Sequence, residues 1–493
     1  METKHPKGLY SLSLTEMWER YSYYGMRALL TIFLTAELAT GGFGLDRAES
    51  LKVYGIFTSL VYLTPILGGW FSDNILGQRK SILIGGLTMA IGQFMLAASS
   101  SDFFISGIDE RKYFFYLGLG VLILGNGFFK PNISTIVGDL YDNDDPRKDG
   151  GFTIFYMGIN IGAFISPFIA GTLGEKVGWP YGYLAAGIGM IIGVLWFHLT
   201  RKNLNDLGLP SKAYKEGRNQ LIVKDWIDIA IYTLGSVLLV FLVMYTWGVT
   251  SDLVHSIVVW TLGIAGAIFI GRAIFKGTNG TTEWSRVFVI LILAFFNIVF
   301  WAGFEQAGGT FNLFAQENTN RMIGSFEIPT TWFQNVNPIV IVTMAPLFSL
   351  LWVFLGKRNL NPRTPVKFAL AMFIGAIAFY LMSIANNLSA DGTLVSPMWL
   401  VVVYFLLTIG ELMLSPIGLS MVTKLSPGKI VSIMMGVWMA SFALGNYLAA
   451  ALEGILLKYD LQLYSFITLL MIGSGVGLLA LSPILNRFMK GIH

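Results

Sequence analysis

The chain has 493 residues, 54% of them hydrophobic and 13% charged, with a mean hydropathy of +0.64, above what a soluble globular domain shows. Its net charge of +4 comes from bases spread over short loops, not from a patch interleaved with aromatics, which argues against nucleic acid as a partner. Cysteine is absent, which excludes disulfides, thiolate catalysis and thiolate metal sites, and His5, His198, His255 and His493 never pair at ligand spacing, so no metal or other cofactor is expected.

A helix needs roughly 20 mostly apolar residues to cross the hydrocarbon core. The first such runs are Ser11–Leu38, Leu51–Phe71, Ser81–Ser99, Tyr113–Val137, Phe152–Leu173 and Tyr181–Leu199. Lys4 and Lys7 precede them without the short apolar region or small-residue cleavage site of a signal peptide, so the first helix is expected to stay in the mature protein. The polar stretch "RKNLNDLGLPSKAYKEGRNQ", Arg201 to Gln220, marks a boundary. Two further runs, Trp226–Trp247 and Leu253–Phe275, read as an inserted pair. A second group follows at Val287–Ala307, Pro338–Leu355, Phe368–Ala385, Pro397–Val422, Ile430–Leu457 and Leu463–Phe488. The expected fold class is an all-α integral membrane protein of about 14 transmembrane helices, two halves of about six plus two inserted. Its expected domains are 1–200, 201–282 and 283–493.

With these spans, 23 of the 33 Lys and Arg fall on one side, 7 on the other, and Arg20, Arg27 and Lys130 lie within spans. The positive-inside rule then places both termini in the cytoplasm, with the protein in the plasma membrane, a bacterial inner membrane in the expected setting.

An ionisable side chain at mid-bilayer costs at least about 2.5 to 3.5 kcal/mol on insertion scales, so each one needs a compensating reason. Glu16, Glu19, Arg20, Arg27, Lys130, Glu305 and Glu411 fall on the first and fourth helices of each half. Transporters built from repeated halves place substrate and coupling ions at the interface of those halves, so these helices are expected to line one cavity. In "TEMWERYSYYGMR", Thr15 to Arg27, the spacing of three and four puts Glu16, Glu19, Arg20, Tyr23, Tyr24 and Arg27 on one stripe. Glu16 and Arg20 can pair at i, i+4, which leaves Glu19 to take and release a proton. A fixed ion pair that only sets helix packing is the competing reading.

Arg20, Arg27 and Lys130 belong to the N-terminal half, whereas Glu305 and Glu411 are the isolated acids of the C-terminal half. A cavity with one basic and one acidic wall suits a zwitterion. Tyr62, Asn160, Trp301 and Trp438 would add hydrogen bonds and aromatic surface. Tyr23, Tyr24 and Trp438 taken singly are more often packing or interface residues than ligands, Glu453 near a helix end is expected to be solvated, and "GVGLLA" to mean close helix packing.

"GGWFSDNILGQRK", Gly68 to Lys80, resembles the loop signature of the major facilitator superfamily through Asp73, Gly77, Arg79 and Lys80. "EMWERYSYYG" is similar to the glutamate-x-x-glutamate-arginine signature of the proton-dependent oligopeptide transporter family, with Tyr21 where phenylalanine is more usual. "GNGFFKPNIS", "FYMGINIGAF", "FWAGFEQ", "QNVNP" and "GELMLSPIGLS" resemble its other landmarks, and the inserted helix pair its bacterial members.

The resemblance implies proton-driven import of di- and tripeptides by alternating access, with protons as the coupling ion, and the chain is not expected to be an enzyme. It implies proton coupling at Glu16, Glu19, Arg20 and Glu305. Arg27 and Lys130 would hold the peptide carboxylate, and Asn160, Asn337 and Glu411 would meet its amino end. Tyr23, Tyr24, Tyr62 and Trp438 would shape the pocket. The expected partners are small peptides, protons and membrane lipid, with the chain a monomer. Transport of nitrate, a drug or another small anion or zwitterion is the nearest alternative, and a peptide-binding membrane sensor a more distant one.

Overall fold

With no water in a bilayer core, a chain must satisfy its backbone N–H and C=O groups internally, and the long apolar runs accordingly fold as helices. The computed structural model describes residues 4–142, 145, 147–209, 222–224, 227, 231, 235 and 252–489. In chain order its long helices are α1 (Lys7–Thr35), α2 (Arg47–Phe71), α3 (Gln78–Ser99), α4 (Ile108–Asp139), α5 (Lys148–Ser166), α6 (Trp179–Thr200), α7 (Asp252–Gly277), α8 (Gly280–Phe304), α9 (Val336–Lys357), α10 (Thr364–Leu388), α11 (Met398–Leu425), α12 (Val431–Leu457) and α13 (Leu463–Met489). The expected run Trp226–Trp247 lies almost wholly outside the described residues, whereas Leu253–Phe275 falls within α7. Among the described residues, ten helical segments are long and apolar enough to cross a membrane; α1, bearing Glu16, Glu19, Arg20 and Arg27, is too polar to be one of them.

Two compact units result: Met1–Leu45 with Leu60–Val259, and Asp46–Ser59 with Trp260–His493. Helix α2 therefore contributes its first turns to the second unit and the remainder to the first. In the first unit α1 packs on α5 and α6, and α3 on α4 and α6. A Cβ at Gly85 of α3 would lie 2.6 Å from the Gly125 carbonyl oxygen of α4, and one at Gly92 2.9 Å from that of Gly118. Bare backbones on both sides let the helices approach closely, which is how apolar helices associate where lipid is as apolar as they are. In the second unit α10 packs on α11 and α13, α8 on α12, and α9 on α11. The GVGLLA run does pack closely, with a Cβ at Gly475 reaching within 2.8 Å of Phe373 on α10.

Two interruptions matter for the site. The loop after α2 turns at Gly77, whose φ of +76° belongs to glycine, and from there Arg79 Nε donates to the Leu207 carbonyl at 2.5 Å and its Nη2 to that of Asn205. Helix α8 stops at Phe304, turns through a tight segment, Glu305–Ala307, and resumes as a short helix, Thr310–Glu317. A neighbouring side chain takes up one freed carbonyl, Tyr404 Oη donating to that of Ala307 at 2.7 Å, and the turn is tied to α12 by Gln306 Nε2, which donates to the Ala449 carbonyl at 2.8 Å.

Candidate functional site

In the first unit, Glu16, Glu19 and Arg20 are at most 2% exposed. Arg20 Nη2 donates to Glu19 Oε1 at 2.6 Å and its Nε to Glu19 Oε2, closing a fork, while Nε also lies 3.2 Å from Glu16 Oε1. Spacing alone leaves Glu19 free; the structure instead gives it the better contact. The long arginine stem reaches its sequence neighbour, and two parallel N–H···O bonds to one carboxylate outweigh a single one. Glu16 Oε2 is left buried without a hydrogen-bond partner among the described residues.

Aromatic rings line the same stripe. The Arg20 guanidinium lies 5.1 Å from the centroid of Tyr23 and 5.9 Å from that of Tyr24, and Arg27 lies 5.8 Å from Tyr24. Tyr23 and Tyr24 meet edge to face at 5.3 Å. From α4, Lys130 acts electrostatically on Glu16 and Glu19, and its Nζ stands 5.7 Å over the ring of Tyr62. Pro131, next to Lys130, supplies no N–H to the preceding turn of α4. Asn160 on α5 is buried and donates to the Tyr156 carbonyl of its own helix at 2.9 Å.

The second unit holds the acids. Glu305 is 3% exposed, at the break in α8, and accepts a hydrogen bond from Tyr54 Oη at 3.0 Å. Glu411 on α11 accepts from Asn337 Nδ2 at 2.9 Å, and the same amide donates to Thr408 Oγ1 at 3.0 Å. Trp438 is fully buried beside Phe368 and Phe442, at ring separations of 6.2 and 6.4 Å, with Gly418 leaving room for its indole. Trp301 packs on Phe304 and Phe442, each at 4.8 Å.

Sequence reasoning does not find Tyr54 or Thr408, although each leaves a signal. Tyr54, Thr58 and Tyr62 recur at four along α2, and Thr408 lies three residues before Glu411. Glu453, expected in solvent, is instead ion-paired: Arg47 Nε reaches its Oε1 at 2.6 Å, and Arg47 Nη1 reaches Glu317 Oε2 at 2.8 Å. Its partner lies 406 residues away in sequence, beyond the reach of local pattern.

The sequence model of the POT family matches residues 79–470, well over half of the chain. The chain is 38% identical to a Bacillus subtilis (strain 168) protein described as the uncharacterized transporter YclF, over 99% of this chain and 96% of that one. It is 34% identical to the di-/tripeptide transporter of Lactococcus lactis subsp. cremoris, over 98% and 96% of the two chains. A crystal structure of the peptide transporter POT in complex with sulfate is similar at a TM-score of 0.86 and 35% identity, covering 100% of this chain and 97% of that one. This multi-pass membrane protein belongs to the POT family.

Proposed function

We propose that the protein imports di- and tripeptides together with protons, acting as a monomer by alternating access. The peptide carboxylate is held by Arg27 and Lys130, and its amino end by Glu411 with Asn160 and Asn337. Tyr23, Tyr24, Tyr62 and Trp438 shape the pocket. Glu16, Glu19, Arg20 and Glu305 carry the proton coupling.

The observation that carries this reading is the buried cluster on α1, two carboxylates sharing one guanidinium with all three at most 2% exposed. Its charges sum to minus one when both acids are ionised, so one proton cancels the excess and its release restores it. The identical fork cannot serve both charge states equally, which ties proton occupancy to side-chain arrangement. In this reading Glu305, which lies at the break in α8, does the same on the acidic side. A zwitterionic peptide is neutral overall, so a cycle with one proton moves one charge. At about 100 mV that supplies about 2.3 kcal/mol, enough for roughly fiftyfold accumulation before any pH gradient is added.

The test is uptake of labelled dialanine into liposomes holding the purified protein under an imposed inward proton gradient, with and without an uncoupler. Accumulation that the uncoupler abolishes is the expected result. Uphill accumulation that survives the uncoupler would remove the proton from the mechanism. No uptake by folded protein would redirect the assignment to nitrate and other small anions.

A further inference from the structure

The loop joining α9 to α10, with the last residue of α9 and the first turn of α10, carries Lys357, Arg358, Arg363 and Lys367 and no acid between them. By the Lys and Arg bias it lies at the cytoplasmic end of its helices. Its setting differs from that of the other basic loops, because only 11% of the apolar stretch of α9 is buried within the protein, against at least 33% in each of the other nine described spans. Leu347, Leu350, Val353 and Phe354 are all at least 50% exposed, so α9 presents an exposed apolar surface almost to its last turn. An exposed apolar surface that ends in a run of bases is the pattern expected where lipid chains give way to headgroups.

Two of the cations are held against aromatic rings of α9. Arg358 lies 4.2 Å from the ring centroid of Phe354, and Lys367, 8% exposed, lies 4.2 Å from that of Trp352. Lys357, Arg358 and Arg363 are exposed, whereas Lys367 is buried against its ring. None of the four side chains makes an ion pair or side-chain hydrogen bond among the described residues. Leu360, 63% exposed in the same loop, adds an apolar residue to the basic ones.

We infer that this loop binds the headgroup of an anionic phospholipid, the phosphate taken by the cations of residues 357–367 and the acyl chains lying along Leu347, Leu350 and Phe354. A zwitterionic headgroup carries its own ammonium and leaves the four cations uncompensated. An anionic one supplies both the charge and the acceptor oxygens they lack.

The probe is phosphatidylglycerol, titrated onto the purified protein in detergent and followed by native mass spectrometry. Each basic residue near an anionic surface contributes about fivefold in affinity, so the triple variant Lys357→Gln, Arg358→Gln, Arg363→Gln should bind roughly a hundredfold more weakly. Phosphatidylcholine binding should not change between the two proteins. The control Arg201→Gln with Lys202→Gln, an exposed basic pair after α6, should bind phosphatidylglycerol as the unaltered chain does. If the triple variant fails to fold, Arg358→Gln alone should lose about fivefold. Equal loss in the control, no loss in the loop variant, or displacement of the phospholipid by soluble glycerol phosphate would each overturn the assignment.

Discussion

Replacing Glu305 by glutamine keeps the side-chain shape and an acceptor for the Tyr54 hydroxyl, now 3.0 Å from Glu305 Oε2, but removes the titratable oxygen. A hydrogen bond to a charged acceptor contributes about 1.5–3 kcal/mol and a neutral one about 1, so the exchange costs the fold on the order of 1 kcal/mol and the variant should purify intact. The effect on coupling should be far larger. With the proton on Glu305 an obligatory step of the proposed cycle, its removal uncouples the 2.3 kcal/mol per charge available at about 100 mV from the peptide gradient even though the α1 carboxylates remain, and accumulation should fall from roughly fiftyfold to about onefold. Exchange of internal unlabelled for external labelled dialanine needs no net proton movement and should persist. The two assays on one liposome preparation separate these outcomes. Undiminished proton-driven accumulation would refute the role assigned to Glu305, and loss of exchange along with accumulation in a folded variant would make the residue structural.

Asn337→Leu removes the amide that donates to Glu411 and Thr408, and the KM for dialanine should rise about tenfold for the loss of about 1–2 kcal/mol, as initial-rate uptake would show. Arg20→Lys substitutes a point charge for the fork that grips Glu19, so proton-driven uptake should fall well below that of the parent while thermal unfolding shows the chain still folded. Gly85→Val drives a side chain toward the Gly125 carbonyl, 2.6 Å from where its Cβ would lie, and should lower the unfolding temperature by more than Gly271→Ala, whose Cβ meets nothing within 4 Å. Arg147, through side-chain and backbone hydrogen bonds, holds the Asp145 carboxyl below the usual carboxylate range, and Arg147 Nη1 donates to the Lys4 carbonyl at 2.7 Å. A lowered carboxylate contributes its stabilisation above its unfolded value and loses it as pH falls through the folded one. Amide exchange near Lys4 should therefore accelerate only below about pH 4, a step that Asp145→Asn abolishes.

The α1 stripe was legible because helical spacing is local: residues three and four apart share a face whatever surrounds them. The partition of Arg20 between its two glutamates was not, because that depends on how a long flexible side chain settles, and the better geometry lay with the immediate neighbour. The run Val287–Ala307 reads as one continuous span, yet the helix breaks at Glu305; the residues that hold the break, Tyr404 donating to the Ala307 carbonyl and Ala449 accepting from the Gln306 side chain, come from distant helices. Glu411 looked isolated because its donor, Asn337, is 74 residues away, and Arg47 escaped notice as a partner of Glu453 for the same reason. Charge in an apolar helix identifies which residues need partners. Only the packed structure supplies the partners themselves.

Proton movement itself bears most closely on the proposed coupling. Liposomes containing the protein and an internal pH dye, held at a fixed inside-negative potential with no initial pH gradient, should acidify inside when dialanine is added outside. Empty liposomes should not. Peptide entry with no accompanying acidification would contradict symport and leave the buried carboxylates of α1 without the role given to them.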